Sequence, residues 1–66
     1  MNTNIIWKQI DNHTYRAYCN EVDIGDAYRN VEHGMWVVTI PMIKFKETGR
    51  YRWDVFELAQ MKYDEK

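Results

Sequence analysis

Arg50-Tyr51-Arg52-Trp53-Asp54-Val55-Phe56-Glu57-Leu58-Ala59-Gln60-Met61-Lys62-Tyr63 is the stretch in which the apolar period changes. Arg50 to Trp53 alternates basic and aromatic residues, the period of 2 that belongs to a strand. From Val55 onward the period becomes 3.6, with Val55, Leu58, Ala59 and Lys62 on one stripe and Phe56, Ala59 and Tyr63 on an adjoining one. Asp54 with Glu57 three positions later approximates a capping box, and Trp53 and Leu58 stand where a hydrophobic staple places its two members. The spacing predicts a helix over residues 54–64.

Everything before this point reads as strand and turn. Met35-Trp36-Val37-Val38-Thr39-Ile40 is rich in β-branched and aromatic residues, and Pro41 ends its pairing because proline has no N–H to donate. Upstream, Ile5 to Ile10 is a short apolar-rich run closed by the turn-forming pair Asp11-Asn12. In the run His13 to Cys19, Tyr15, Ala17 and Cys19 share one face and Thr14, Arg16 and Tyr18 the other. After the polar connection at residues 20–23, Ile24 to Val31 returns as a third strand, and Gly25 within it marks a bulge or a close backbone approach. Glu32-His33-Gly34 is the next turn. Downstream of Pro41, Ile43 to Lys46 and Arg50 to Trp53 flank Glu47-Thr48-Gly49 and read as a second hairpin, with an irregular loop as the alternative.

The fold class expected is therefore α+β. One domain over residues 1–66 holds an antiparallel sheet of four or five short strands, with one C-terminal helix packed on one face. Its expected core is Trp36, Val38, Ile40, Ile24, Tyr15, Ala17, Val55, Leu58 and Ala59. A chain of 66 residues buries only about 60% of its unfolded surface, so aromatic residues, 15% of the chain, must supply much of the core. With 45% hydrophobic residues, three Gly and one Pro, the disordered and collagen-like classes are excluded. Cys19 stands alone, which rules out an intramolecular disulfide and suggests a reducing, cytoplasmic setting. The first residues carry no signal-peptide pattern, and no apolar segment approaches the roughly 20 residues of a membrane span.

Catalytic constellations are sparse. The chain contains no serine, and His13 lies about 20 Å along the strand from Cys19, leaving His33 as the one imidazole within reach of the thiol. Alternation places Cys19 with Tyr15 and Ala17, as a buried small hydrophobe. There is no paired-cysteine or His-x-x-x-His metal spacing, and Glu21, Asp23 and Asp26 lack the glycine and closing glutamate of a calcium loop. Neither a metal, a cofactor nor an enzymatic activity is expected.

Charge is distributed more tellingly than it is summed. Nine Lys and Arg against ten Asp and Glu leave −1 overall, yet residues 20–32 carry a local −3 and residues 44–53 a local +3. On the expected second hairpin, Lys44, Lys46, Arg50 and Arg52 project from one face and Phe45, Tyr51 and Trp53 from the other. Arg16 and Tyr18 on the second strand extend that basic strip. A cationic β-ribbon is one way to enter a DNA groove, whereas basic edge residues also serve simply to prevent sheet-to-sheet aggregation.

Trp7 near the start, Tyr15-Arg16-Ala17-Tyr18, Ile24-Gly25 and Trp36-Val37-Val38, followed by one helix, form a layout over residues 5–63 that resembles small sheet-plus-helix domains of phage-encoded proteins. In layout it is similar to the amino-terminal arm-binding domains of phage-type integrases, in which a three-stranded sheet reads DNA and a helix packs behind it. The chain departs from those domains in having no net positive charge and no catalytic domain after it. It also resembles, in kind, the short accessory proteins with which phages bind and inhibit host machinery. The expected function is thus a non-enzymatic interaction module that binds a protein through its sheet or hairpin face. A DNA- or RNA-binding domain using residues 44–53 is the alternative, and an edge strand offers a route to a homodimer.

Overall fold

The computed structural model describes residues 3–65. Five strands, β1 (Ile6–Asp11), β2 (Thr14–Cys19), β3 (Val22–Asn30), β4 (Met35–Ile40) and β5 (Phe45–Gly49), precede the helix α1 (Arg52–Glu65). The strands pair antiparallel in chain order, each beside its sequence neighbour. Local chemistry sets each connection. Asp11 accepts a hydrogen bond from the His13 N–H at 2.8 Å and closes the first turn. Asn20 and Glu21 both take positive φ, 51° and 68°, so a two-residue turn of the hand that matches strand twist joins Cys19 to its partner Val22. Asn30 accepts bonds from the N–H groups of His33 and, through its carbonyl, Gly34, and so fastens the third turn.

One face of the sheet is the core. Ala17, Ala27, Val38 and Ile40 are wholly buried there, with Cys19, Ile24 and Phe45 beside them. α1 lies against β4 and β5 through Val55, Ala59 and Tyr63, one residue per turn along a single line. Over β1 and β2 its cover is aromatic. The Phe56 ring stacks on Trp7 at 3.9 Å and meets Tyr15 edge-on at 5.5 Å, and Tyr15 in turn meets Trp36 at 5.7 Å. Gln60 then holds the N-terminal segment as a strand would, accepting from the Ile5 N–H and donating to the Thr3 carbonyl, both at 2.8 Å.

The α+β architecture is the one expected, with five strands and the helix on one face. Two bulges interrupt it, because Ile10 in β1 and Ile24 in β3 have no residue opposite them. Gly25 follows the second bulge, and an added Cβ there would run into the Thr39 carbonyl oxygen and come within 3.1 Å of Ile40 Cα. Both readings of Gly25, bulge and close approach, therefore apply.

Residues 43–53 differ from the expected hairpin. Pro41 opens a 3-10 turn (Pro41–Ile43), and Lys44 follows it in the left-handed region at φ 54°. Residues 45–49 are then one strand, from Ile40↔Phe45 to Trp36↔Gly49, so Glu47-Thr48-Gly49 is strand rather than turn. β4 holds Val38 and Ile40 in the core, and a partner strand beside it satisfies its outer hydrogen-bonding groups, which a separate hairpin at 43–53 would leave open. The helix begins at Arg52, two residues before the expected Asp54, so the Trp53–Leu58 staple does not form and Trp53 stacks on Tyr51 instead. Leu58, expected in the core, is exposed, since it is turned about 100° from Ala59 on the helix. Trp36 and Tyr15 are half-buried and pack against the core's margin.

Gly49 is the second close approach, because a Cβ there would meet the Val55 side chain. Gly25→Ala is expected to cost about 3 kcal/mol, since a backbone carbonyl cannot move aside, and Gly49→Ala about 1–2 kcal/mol, since a side chain can shift. Urea midpoints of the two variants measure this order, and equal midpoints would contradict the backbone approach at Gly25.

Candidate interaction surface

The register puts every second residue on the sheet face that α1 does not cover. Lys8, Arg16, Asp26, Thr39 and Lys46 form one row across all five strands, each paired with the next. Beside it run Ile6, Tyr18 and Asp23 on one side and Thr14, Tyr28, Val37 and Thr48 on the other. Ile6 and Tyr28 are exposed, whereas Val37 is buried among its neighbours outside the main core. Charges of both signs are interleaved. Arg16 pairs with Asp23 at 3.6 Å, and the Lys8 ammonium lies 5.2 Å from the centre of the Tyr18 ring. Two depressions flank this pair of residues. One of 390 Å³ is lined by Ile6, Lys8, Tyr18 and Glu21. The other, of 670 Å³, opens at the end of the sheet between the β3 bulge and Pro41–Met42, with Arg16, Asp23 and Asp26 on one wall and Cys19 and Tyr63 on another.

The six residues singled out in the sequence do not all meet. Arg16, Tyr18 and Lys46 share the uncovered face. Lys44 occupies the left-handed link before β5, and Arg50 sits in the bend before the helix. Arg52 is on the helix-covered side, where its guanidinium donates to the Tyr15 hydroxyl at 2.6 Å and lies 5.1 Å and 5.9 Å from the Tyr15 and Trp36 ring centres. A strip of four cations on one face is therefore not built, because the ribbon that would carry it is one strand and a helix start. Sequence reading missed Lys8, Asp26 and Tyr28 as companions of Arg16. Their alternation is visible, but their row needs the register.

Cys19 and both histidines stand at opposite ends of the sheet, since His13 and His33 lie in the turns before β2 and after β3 and Cys19 ends β2. Among the described residues no three His, Cys, Asp or Glu come together as metal ligands, and no helix is long and apolar enough to cross a membrane. Cys19 is buried against Tyr63. The hydrogen bond to Cys19, followed by burial, holds the Tyr63 phenolic proton on, so this hydroxyl titrates above its ordinary value of 10.0. Asp11 titrates below its ordinary 3.8, chiefly because the His13 N–H bonds its charged form.

No protein-family model matches the chain, and comparison with curated proteins and with solved structures finds no match.

Two opposite pH dependences follow. Tyr63 has a raised pKa in the fold, so its contribution is fully present below pH 10.0 and is lost as pH rises through the folded value. Asp11 has a lowered one, so its contribution is present above pH 3.8 and is lost as pH falls through the folded value. Urea midpoints across pH are expected to fall less steeply on the alkaline limb in Tyr63→Phe, and less steeply on the acid limb in Asp11→Asn. An unchanged alkaline limb in Tyr63→Phe would show that the phenol is not held by Cys19.

Proposed function

We propose that the protein is a non-enzymatic interaction module that binds a partner protein through the uncovered sheet face, centred on Arg16 and Tyr18. The observation that carries this reading is the five-strand row Lys8, Arg16, Asp26, Thr39, Lys46, in which an acid lies among three bases beside Ile6, Tyr18 and Tyr28. Apolar and aromatic side chains interleaved with charges of both signs suit a protein surface, which is itself mixed. A phosphate backbone asks for one sign, and Asp23 and Asp26 lie amid the cations here. The role implied is that of a small accessory or inhibitor protein of the phage type, holding a host protein with this sheet face and no chemistry of its own.

Tyr28→Ser with Tyr18→Ser is expected to abolish recovery of a specific partner while Lys62→Gln on the helix leaves it unchanged, and melting curves check that each variant folds. Titration with nucleic acid tests the alternative. If Lys8, Arg16 and Lys46 held phosphates, log affinity would fall with log salt at a slope of about −2.7. Weak binding is expected, with dissociation constants of about 10 μM or above at about 150 mM salt. Submicromolar binding to a defined DNA or RNA under those conditions would replace the protein reading with the nucleic-acid one.

A further inference from the structure

The helix is apolar on two sides. Val55, Ala59 and Tyr63 face the sheet, yet Trp53, Leu58 and Met61 on the solvent side are 63%, 45% and 53% exposed. They are not scattered. Asp54, Leu58, Met61 and Glu65 follow one another at spacings of four, three and four, so they lie on one line along the helix, and Trp53 and Glu57 form the line beside it. Two exposed aliphatic side chains are thus bracketed by carboxylates at both ends. Trp53 broadens the patch at its start, stacked 4.9 Å from Tyr51 with the rings 14° from parallel. A soluble helix normally turns charge outward where this one turns apolar surface.

We infer that this solvent face of α1 is a second docking surface, and that its occupant is a basic amphipathic helix of a partner protein. Charge selects that occupant. Asp54, Glu57 and Glu65 frame the patch against one base at its rim, Lys62 four residues after Leu58, so three acids and one base leave −2, while Arg52 is engaged with Tyr15 on the other side of the helix. A second copy would bring the same carboxylates against one another, and an anionic lipid surface would be repelled. A helix with Lys or Arg flanking a line of Leu or Ile meets both the apolar centre and the acidic frame. α1 is 14 residues long and spans about 21 Å, so a partner helix of about 14 residues would cover the patch. This surface is separate from the uncovered sheet face and does not depend on it.

The test titrates the whole chain with synthetic helical peptides of about 14 residues at about 150 mM salt. One peptide carries a leucine stripe flanked by lysines, a second has glutamates in place of the lysines, and a third has the same lysines with no leucine stripe. The Leu/Lys peptide is expected to bind and to shift Trp53 emission to shorter wavelength, while the other two bind at least about tenfold more weakly. Leu58→Asn with Met61→Gln is expected to weaken the Leu/Lys peptide about tenfold, and Glu57→Gln to reduce its salt dependence. Tyr28→Ser on the sheet leaves it unchanged, which separates this result from any failure at the sheet face. Should the double variant fail to fold, loss of the emission shift in Trp53→Phe reads the same contact. Equal binding of the Leu/Glu peptide, or undiminished binding by the double variant, would overturn the inference. So would a concentration-dependent dimer of the wild type that the double variant abolishes, since the occupant would then be a second copy.

Discussion

Val55 and Ala59 reach the sheet over β4 and β5, where Val38 and Ile40 have no exposed surface and Gly49 has no side chain to hold the helix away. This contact fixes the rest. A helix placed over β4 and β5 is too narrow to cover β1 and β2 as well, helix diameters being about 10–12 Å with strands about 4.8 Å apart. The gap is filled by large rings, Phe56 on Trp7 and Tyr15 against Trp36, and by Gln60 gripping residues 3 and 5. The aromatic richness of so short a chain thus has a geometrical reason: one helix covers a sheet wider than itself. The same shortage leaves the other sheet face without cover from any described element, and that face is where the functional reading rests.

The two edges of the sheet are protected differently. β1 is interrupted by the bulge at Ile10, which spoils the regular pattern that another strand would need. β5 is short and places Lys46 and Glu47 on its opposite faces, so a strand added there would meet charge on both sides. The faces, rather than the edges, are left as the surfaces available for association.

Much of the fold was legible because its signals are local. Alternation in residues 14–19 and β-branched and aromatic richness in 35–40 identify two central strands, turn residues separate them, and the change of period past Trp53 identifies the helix. The region between Pro41 and Arg52 was not legible, for a reason that is not local. Basic and aromatic residues alternate there as in a hairpin, but β4 needs a neighbour on its open side, and Phe45 completes the core only when residues 45–49 lie along it. Arg52 was placed on the wrong side for the same cause. Its position is set by Tyr15 and Trp36, 37 and 16 residues away in sequence and adjacent only in the fold. Of the candidate surface, Arg16 and Tyr18 were visible from alternation, whereas Lys8 and Asp26 could join them only through pairing register.

Gln60 and Asp64 tie the last turns of the helix to Thr3, and Tyr63 between them packs on Cys19. Cys19 keeps 5% of its surface exposed, at the wall of the depression between the β3 bulge and Pro41–Met42, so a bulky thiol reagent reaches its sulfur most readily in molecules whose final helical turns have momentarily lifted off the sheet. Because the same turns carry the hydrogen bonds that hold residues 3 and 5, that lifting also releases the segment leading into β1. The rate at which a bulky reagent modifies Cys19 under native conditions becomes a stopwatch for this local opening, read at a thiol that the sequence itself supplies.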